Sequence, residues 1–270
     1  MKRFILSAIC FLTIYIVGNA QYSVMSPNSL VEAKVEVGSQ IVYSVYYKGK
    51  PVLTNSEIRF EFKQAGPLGD DMNVLKTSAK DINETWTPVL KRTATILNNY
   101  RELTLQMQEK KFPRRMMNLV FRVFDDGVAF RTEFIGSGNN HDYVITDELV
   151  TFNFTADHNC WAANHGAYDT HQENEYSKRN LSDISDQMVI GLPMTVKVSD
   201  DCYAAITEAN ITDYAGMYLK PSYLKTGFGV RSQLAPLPGQ KENGDKVNFK
   251  FPHKTPWRVI MLGDTPGNLV

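Results

Sequence analysis

Residues 120–134 read VFRVFDDGVAFRTEF, and this stretch decides the fold class. Met117 to Phe124 is strand-like, and Asp125-Asp126-Gly127 is a strong hairpin signal. Val128 to Phe134 alternates apolar and polar residues, as a strand with one wet face does. The same period of two appears ahead of the hairpin. Ile58 to Phe62 (IRFEF) and Glu102 to Gln108 (ELTLQMQ) both alternate. Gln40 to Tyr47 (QIVYSVYY) is β-branched and aromatic, and Lys48-Gly49-Lys50-Pro51 ends it as a turn.

The rest of the chain extends this pattern. Gly66 to Asp71 reads as a loop, and Trp86 to Asn98 as extended. Phe152 to Phe154 begins a strand. Leu192 to Val198, the Ser199-Asp200-Asp201 turn and Tyr203 to Thr207 form a second hairpin. Val247 to Phe251 and Trp257 to Leu262 (WRVIML) are extended. From Asp157 to Asp186 the composition turns to His, Asn, Tyr, Ser and Asp without periodicity. That predicts a long loop, the kind of element that carries function on a rigid sheet. No amphipathic helical period exceeds three turns. Strands about every 10 residues without intervening helices predict an all-β fold of two antiparallel sheets.

Composition narrows the function. The chain has 270 residues, with 29 basic and 29 acidic side chains. This balance gives no electrostatic reason to expect nucleic acid or an anionic membrane as partner. Lys2 and Arg3, the apolar run Phe4 to Val17 and the small residues Gly18-Asn19-Ala20 fit a signal peptide over 1–20, cleaved before Gln21. Cys10 lies inside the apolar run, which argues against lipoprotein processing. Cys160 and Cys202 remain, either as a disulfide or as buried small hydrophobes. His158, His165 and His171 have no metal-site spacing and read as surface or loop residues. Asn-x-Ser/Thr triplets at Asn83, Asn153, Asn180 and Asn210 carry no functional weight.

Two carboxylates and a set of aromatics are the candidate site. In ITEANITDYAGMYL, Ile206 to Leu219, Ile206 and Glu208 share one face of a strand. A carboxylate there is desolvated unless it is paired or binds a metal, and the residues alone favour an Arg or Lys partner. Glu175 reads as a solvated loop carboxylate. Trp161, Tyr168, Tyr176, Tyr214 and Tyr218 offer ring faces near polar groups, which suits sugar stacking; ordinary core and rim packing explains the same residues. Arg122 and Arg131 flank the hairpin and are placed to pair with carboxylates such as Glu133.

Several stretches together resemble glycoside hydrolase family 97. They are Glu84 to Pro88 (ETWTP), Asn98 to Leu103 (NNYREL), the 120–134 hairpin, Pro193 to Val196 (PMTV), ITEANITDYAGMYL, and Thr255 to Leu269 (TPWRVIMLGDTPGNL). The resemblance runs from about Ser26 to the end. It implies an N-terminal β-supersandwich, galactose-mutarotase-like, followed in the family by a (β/α)8 barrel and a small C-terminal β domain. The family comprises periplasmic and secreted bacterial α-glycosidases that act on α-glucosides or α-galactosides. The implied sandwich covers 21–254, with 255–270 as the start of a linker into the barrel. Both catalytic carboxylates then come from the barrel, so the resemblance assigns this chain no catalytic residue and implies that it is inactive alone. It also implies a calcium ion near the oligosaccharide substrate, with one glutamate supplied by this domain. Glu208 is the best match, and Glu175 the next. Trp161, Tyr168, Tyr176 and Tyr214 would line the sugar pocket. The chain departs from relatives at Pro88 to Arg92, where a Gly-Glu step is usual, and at Ala162-Ala163-Asn164, which lacks a proline. A stand-alone carbohydrate-binding or structural module is the alternative.

Overall fold

The computed structural model describes residues 20–90, 94–136, 142–222 and 228–270. The signal-peptide segment, apart from Ala20, lies outside the described residues, as do Lys91 and Arg92.

Two antiparallel sheets pack face to face. The first contains β1 (Ala20–Met25), β2 (Val31–Val37), β3 (Ile41–Tyr47), β4 (Lys50–Phe62), β5 (Gly66–Leu68), β10 (Tyr143–Phe154), β15 (Met217–Pro221), β16 (Phe228–Leu234) and β17 (Val247–Phe249). Its order is β1-β2-β3-β4-β10-β16-β15, with β5 on β4 and β17 on β10. The second contains β6 (Met72–Trp86), β7 (Ile96–Glu109), β8 (Met116–Phe124), β9 (Gly127–Ile135), β11 (Asn159–Ala163), β12 (Tyr176–Asn180), β13 (Met194–Ser199), β14 (Cys202–Ala209), β18 (His253–Lys254) and β19 (Trp257–Gly263). Its order is β12-β11-β13-β14-β19-β9-β8-β7-β6, with β18 on β9.

The alternation in the sequence becomes the alternation of burial. In β2 and β3 every second residue is buried, from Val31 to Val37 and from Ile41 to Tyr47. These faces meet those of β8 and β9 in one core. Tyr43 lies 4.8 Å from the Phe130 ring, Phe121 stacks on Phe130 at 5.1 Å, and the Tyr43 hydroxyl donates to the Thr151 carbonyl at 2.7 Å. A second aromatic group, Phe62, Phe134 and Phe249, fills the other end. Each buried ring contributes about 1.5–3 kcal/mol by leaving water.

The hairpin at 120–134 forms, with Phe124 opposite Gly127. Its glycine serves a purpose other than a left-handed turn. Gly127 opens β9 without a positive φ, and so close to β19 that a Cβ there would lie 2.4 Å from the Ile260 carbonyl oxygen. Gly66 to Leu68 is a short strand rather than loop, because β4 supplies its ladder partners. The expected long loop at 157–186 contains β11, β12 and the 3-10 turn Leu181–Asp183. Cross-strand pairing orders these polar residues where no internal period announces them. The expected domain end at 254 is also corrected. Trp257–Gly263 is β19, an interior strand between β14 and β9, so the sandwich runs past 254 into the expected linker. Cys160 and Cys202 are buried free thiols on strands separated by β13. Burial pushes both up to about 11.

Candidate functional site

Glu208 and Arg258 are direct cross-strand partners in the β14–β19 ladder. Arg258 Nη1 donates to Glu208 Oε2 at 2.6 Å, and the Met217 N–H donates to Glu208 Oε1 at 2.9 Å. The pairing expected from strand periodicity is therefore present. Arg258 also reaches across the core. Its Nε and Nη2 donate to Glu148 Oε1 and Oε2 at 2.6 and 2.8 Å. Glu148 lies on β10 of the opposite sheet, and both side chains are 1% exposed. Tyr214 completes the group by donating its hydroxyl to Glu148 Oε2 at 2.7 Å.

Two carboxylates share one guanidinium here. Burial raises the Glu208 carboxyl above its ordinary value, against the pull of Arg258. Burial opposes the Arg258 charge, yet Glu148 and Glu208 outweigh it and hold the guanidinium above its usual range. Burial and then Glu148 push the Tyr214 phenol well up. Charge-assisted, bidentate bonds of this kind lock side-chain geometry. Neither Glu148 nor Arg258 was among the sequence candidates. Arg258 carried a signal, a lone charge between Trp257 and Val259, whereas Glu148 follows Asp147 and carried little.

The four sugar-pocket aromatics do not converge. Tyr214 is committed to the network, its ring stacked 6.0 Å from His253. Tyr168 packs edge-on against Tyr218 at 5.2 Å. Trp161 and Tyr176 do share a face, since Trp161 pairs with Lys178 and Ala163 with Tyr176. Tyr176 is 51% exposed, and Lys178 Nζ sits 5.9 Å over the Trp161 ring. Glu175 immediately precedes Tyr176 and is exposed, and no hydrogen bond or ion pair engages it among the described residues. Arg131 pairs with Glu133 at 2.6 Å and Arg122 with Glu102 at 2.9 Å, and both guanidiniums stack on Trp257.

Among the described residues no group of three or more His, Cys, Asp or Glu side chains could hold a metal ion. Calcium takes six to eight oxygens, so this chain can supply at most a share. Glu208 suits that share poorly, because Arg258 already places a positive charge on its outer oxygen. The exposed carboxylate of Glu175 suits it better.

A model of the Glycosyl-hydrolase 97 N-terminal family matches residues 24–270. The chain belongs to glycoside hydrolase family 97. Within the family, it is 25% identical to a retaining alpha-galactosidase of Bacteroides thetaiotaomicron, aligned over 100% of this chain and 43% of that protein. A variant of a family 97 enzyme from Pseudoalteromonas sp. strain K8 superposes with a TM-score of 0.81 at 25% identity, covering 92% of this chain and 36% of the enzyme. The same enzyme with acarbose bound gives a TM-score of 0.78. A beta-arabinopyranosidase shares the fold at a TM-score of 0.78 and 21% identity. The chain thus spans less than half the length of these relatives.

Proposed function

We propose that this sandwich is the N-terminal, carbohydrate-associated domain of an exported α-glycosidase, periplasmic or secreted, whose catalytic carboxylates belong to a further domain. The observation that carries this reading is the coverage: the whole chain aligns with 43% or less of the length of family 97 enzymes, which leaves room in them for a separate catalytic domain. The relative named an alpha-galactosidase makes α-galactosides the first substrate class, with α-glucosides second.

In this reading the domain docks on a catalytic barrel and walls its sugar pocket. Trp161 and Tyr176 stand on one face of the β11–β12 pair, and Glu175, exposed, immediately precedes Tyr176. Glu175, or Glu208 in the alternative, supplies one ligand to a calcium ion that the barrel otherwise coordinates; when bound, that ion would supply positive charge near the substrate. The Arg258 network holds Glu208 in place and fixes the loop carrying Tyr214. The test is turnover of aryl α-galactosides and α-glucosides by a protein extended through the barrel. Turnover by the extended protein and none by the 270-residue chain is expected. Turnover by the chain alone, or none by the extended protein on either class, overturns the reading.

A further inference from the structure

The outward face of the first sheet should be the wet side of the sandwich, yet much of its polar surface is covered. Arg231 is 6% exposed, Gln233 5% and Lys220 3%. The segment 235–246 folds over them, held where Lys220 Nζ approaches Glu242 at 3.3 Å and Lys246 Nζ donates to the Glu242 carbonyl. Beneath it remains a cavity of about 510 Å³ bordered by Glu61, Asp147, Arg231, Gln233, Glu242 and Asn243. That volume lies in the ordinary range of small-ligand sites. Asp147 stands where the β4–β10 register slips, between Ile145 and Asp147, a bulge that re-aims a side chain. The Tyr168 hydroxyl is buried near Glu242, Arg231 and Asp147, without a well-formed hydrogen bond of its own.

The lining carries both signs at close quarters. An anion in this cavity would meet Glu61, Asp147 and Glu242, and a cation would meet Arg231 and Lys241. A neutral polyol meets neither penalty, because each hydroxyl both donates and accepts. It can give protons to the carboxylates and take them from the guanidinium and amides. We propose that this cavity between β10, β16 and the 235–246 segment binds a neutral monosaccharide or one residue of an oligosaccharide. The site belongs wholly to this chain, so it goes beyond the function above and requires no barrel.

The test is titration of the 270-residue chain with D-galactose, D-glucose, maltose and inorganic phosphate, followed by saturation-transfer NMR. Millimolar binding of at least one sugar, and none of phosphate, is expected. Asp147→Asn should weaken it by about tenfold, the loss of one good hydrogen bond to a charged group. Asn243→Ala, in an exposed turn where folding is not at risk, should weaken it several-fold. No sugar binding at millimolar concentration overturns the proposal. So does phosphate binding in place of sugar, or sugar binding abolished by Trp161→Ala and indifferent to Asp147→Asn and Asn243→Ala. The glycosidase assay of the extended protein is scored separately, so either reading can fail while the other stands.

Discussion

Glu148 and Arg258 form a bidentate ion pair across the middle of the sandwich, one residue from each sheet, with both side chains 1% exposed. A pair removed from water this completely depends on its partner. Removing Arg258 strands two carboxylates in the core, and removing Glu148 leaves Arg258 with Glu208 alone and its other donors unpaired, at a cost of roughly 3–5 kcal/mol. Glu148→Leu and Arg258→Met should each lower urea stability by that amount. The double variant Glu148→Leu with Arg258→Met should lose much less than the sum, although Glu208 then keeps only the Met217 N–H. Additive losses in the double-mutant cycle would show that the two residues do not act as a unit.

The buried thiols make stability sensitive to alkaline pH. Burial holds Cys160 and Cys202 near 11, above the ordinary thiol value of 9.0. An acid whose folded value is raised binds its proton longer folded than unfolded. Its stabilisation is present below about pH 9 and is lost as pH rises through about pH 11. Unfolding midpoints should fall over that window, and less steeply in Cys160→Ala or Cys202→Ala. Folded protein should also react slowly with thiol reagents at neutral pH. Fast, stoichiometric labelling of both residues without denaturant would contradict their burial.

Trp257 lies between two guanidiniums, Arg122 at 4.5 Å and Arg131 at 4.4 Å, and Arg122 is also 4.6 Å from the Tyr100 ring. Arg122→Ala or Arg131→Ala should cost about 1 kcal/mol and open the indole to solvent. Acrylamide quenching of tryptophan fluorescence, together with thermal unfolding, reads both effects. Unchanged quenching in both variants would mean that the guanidiniums do not shield the indole.

The two candidate calcium ligands predict different phenotypes in the extended enzyme. Glu175→Gln should weaken calcium affinity at least tenfold, roughly the effect of losing even an outer partner of a metal site, and leave the melting temperature in place. Glu208→Gln should chiefly lower stability, because it removes one side of the Arg258 bridge. Calcium titration and calorimetry on the same variants separate the two. The opposite pattern would return the ligand role to Glu208.

Gly127→Ala should destabilise strongly, because the new methyl would press on the Ile260 carbonyl backbone rather than on a yielding side chain. A loss of several kcal/mol in urea midpoint energy, without change in the hairpin register, is expected. A neutral effect would mean that β9 and β19 separate easily.

Most of the fold was legible locally. The strands β3, β8 and β9 need only neighbouring residues to be read: β-branched and aromatic composition in β3, the turn signal after β8, and alternation in Val128 to Phe134. The turn at Asp125-Asp126 was legible too, but the reason for Gly127 was not, because it lies in a strand far along the chain, at Ile260. The ordered strands within 157–186 were missed for the same reason: β11 takes its ladder from β12 and β13 rather than from a period of its own.

The sequence by itself determined an all-β sandwich, a neutral surface balance, and a desolvated Glu208 that had to find a cation, because composition and periodicity are local properties. The tertiary structure decided which cation that was, that Glu148 shares it from the opposite sheet, that Tyr214 is committed to the core network while Glu175 is exposed, and that segment 235–246 borders an open polar cleft. Each of these depends on residues brought together from strands far apart in the chain, and the free energy of a charge is set by what surrounds it rather than by what precedes it.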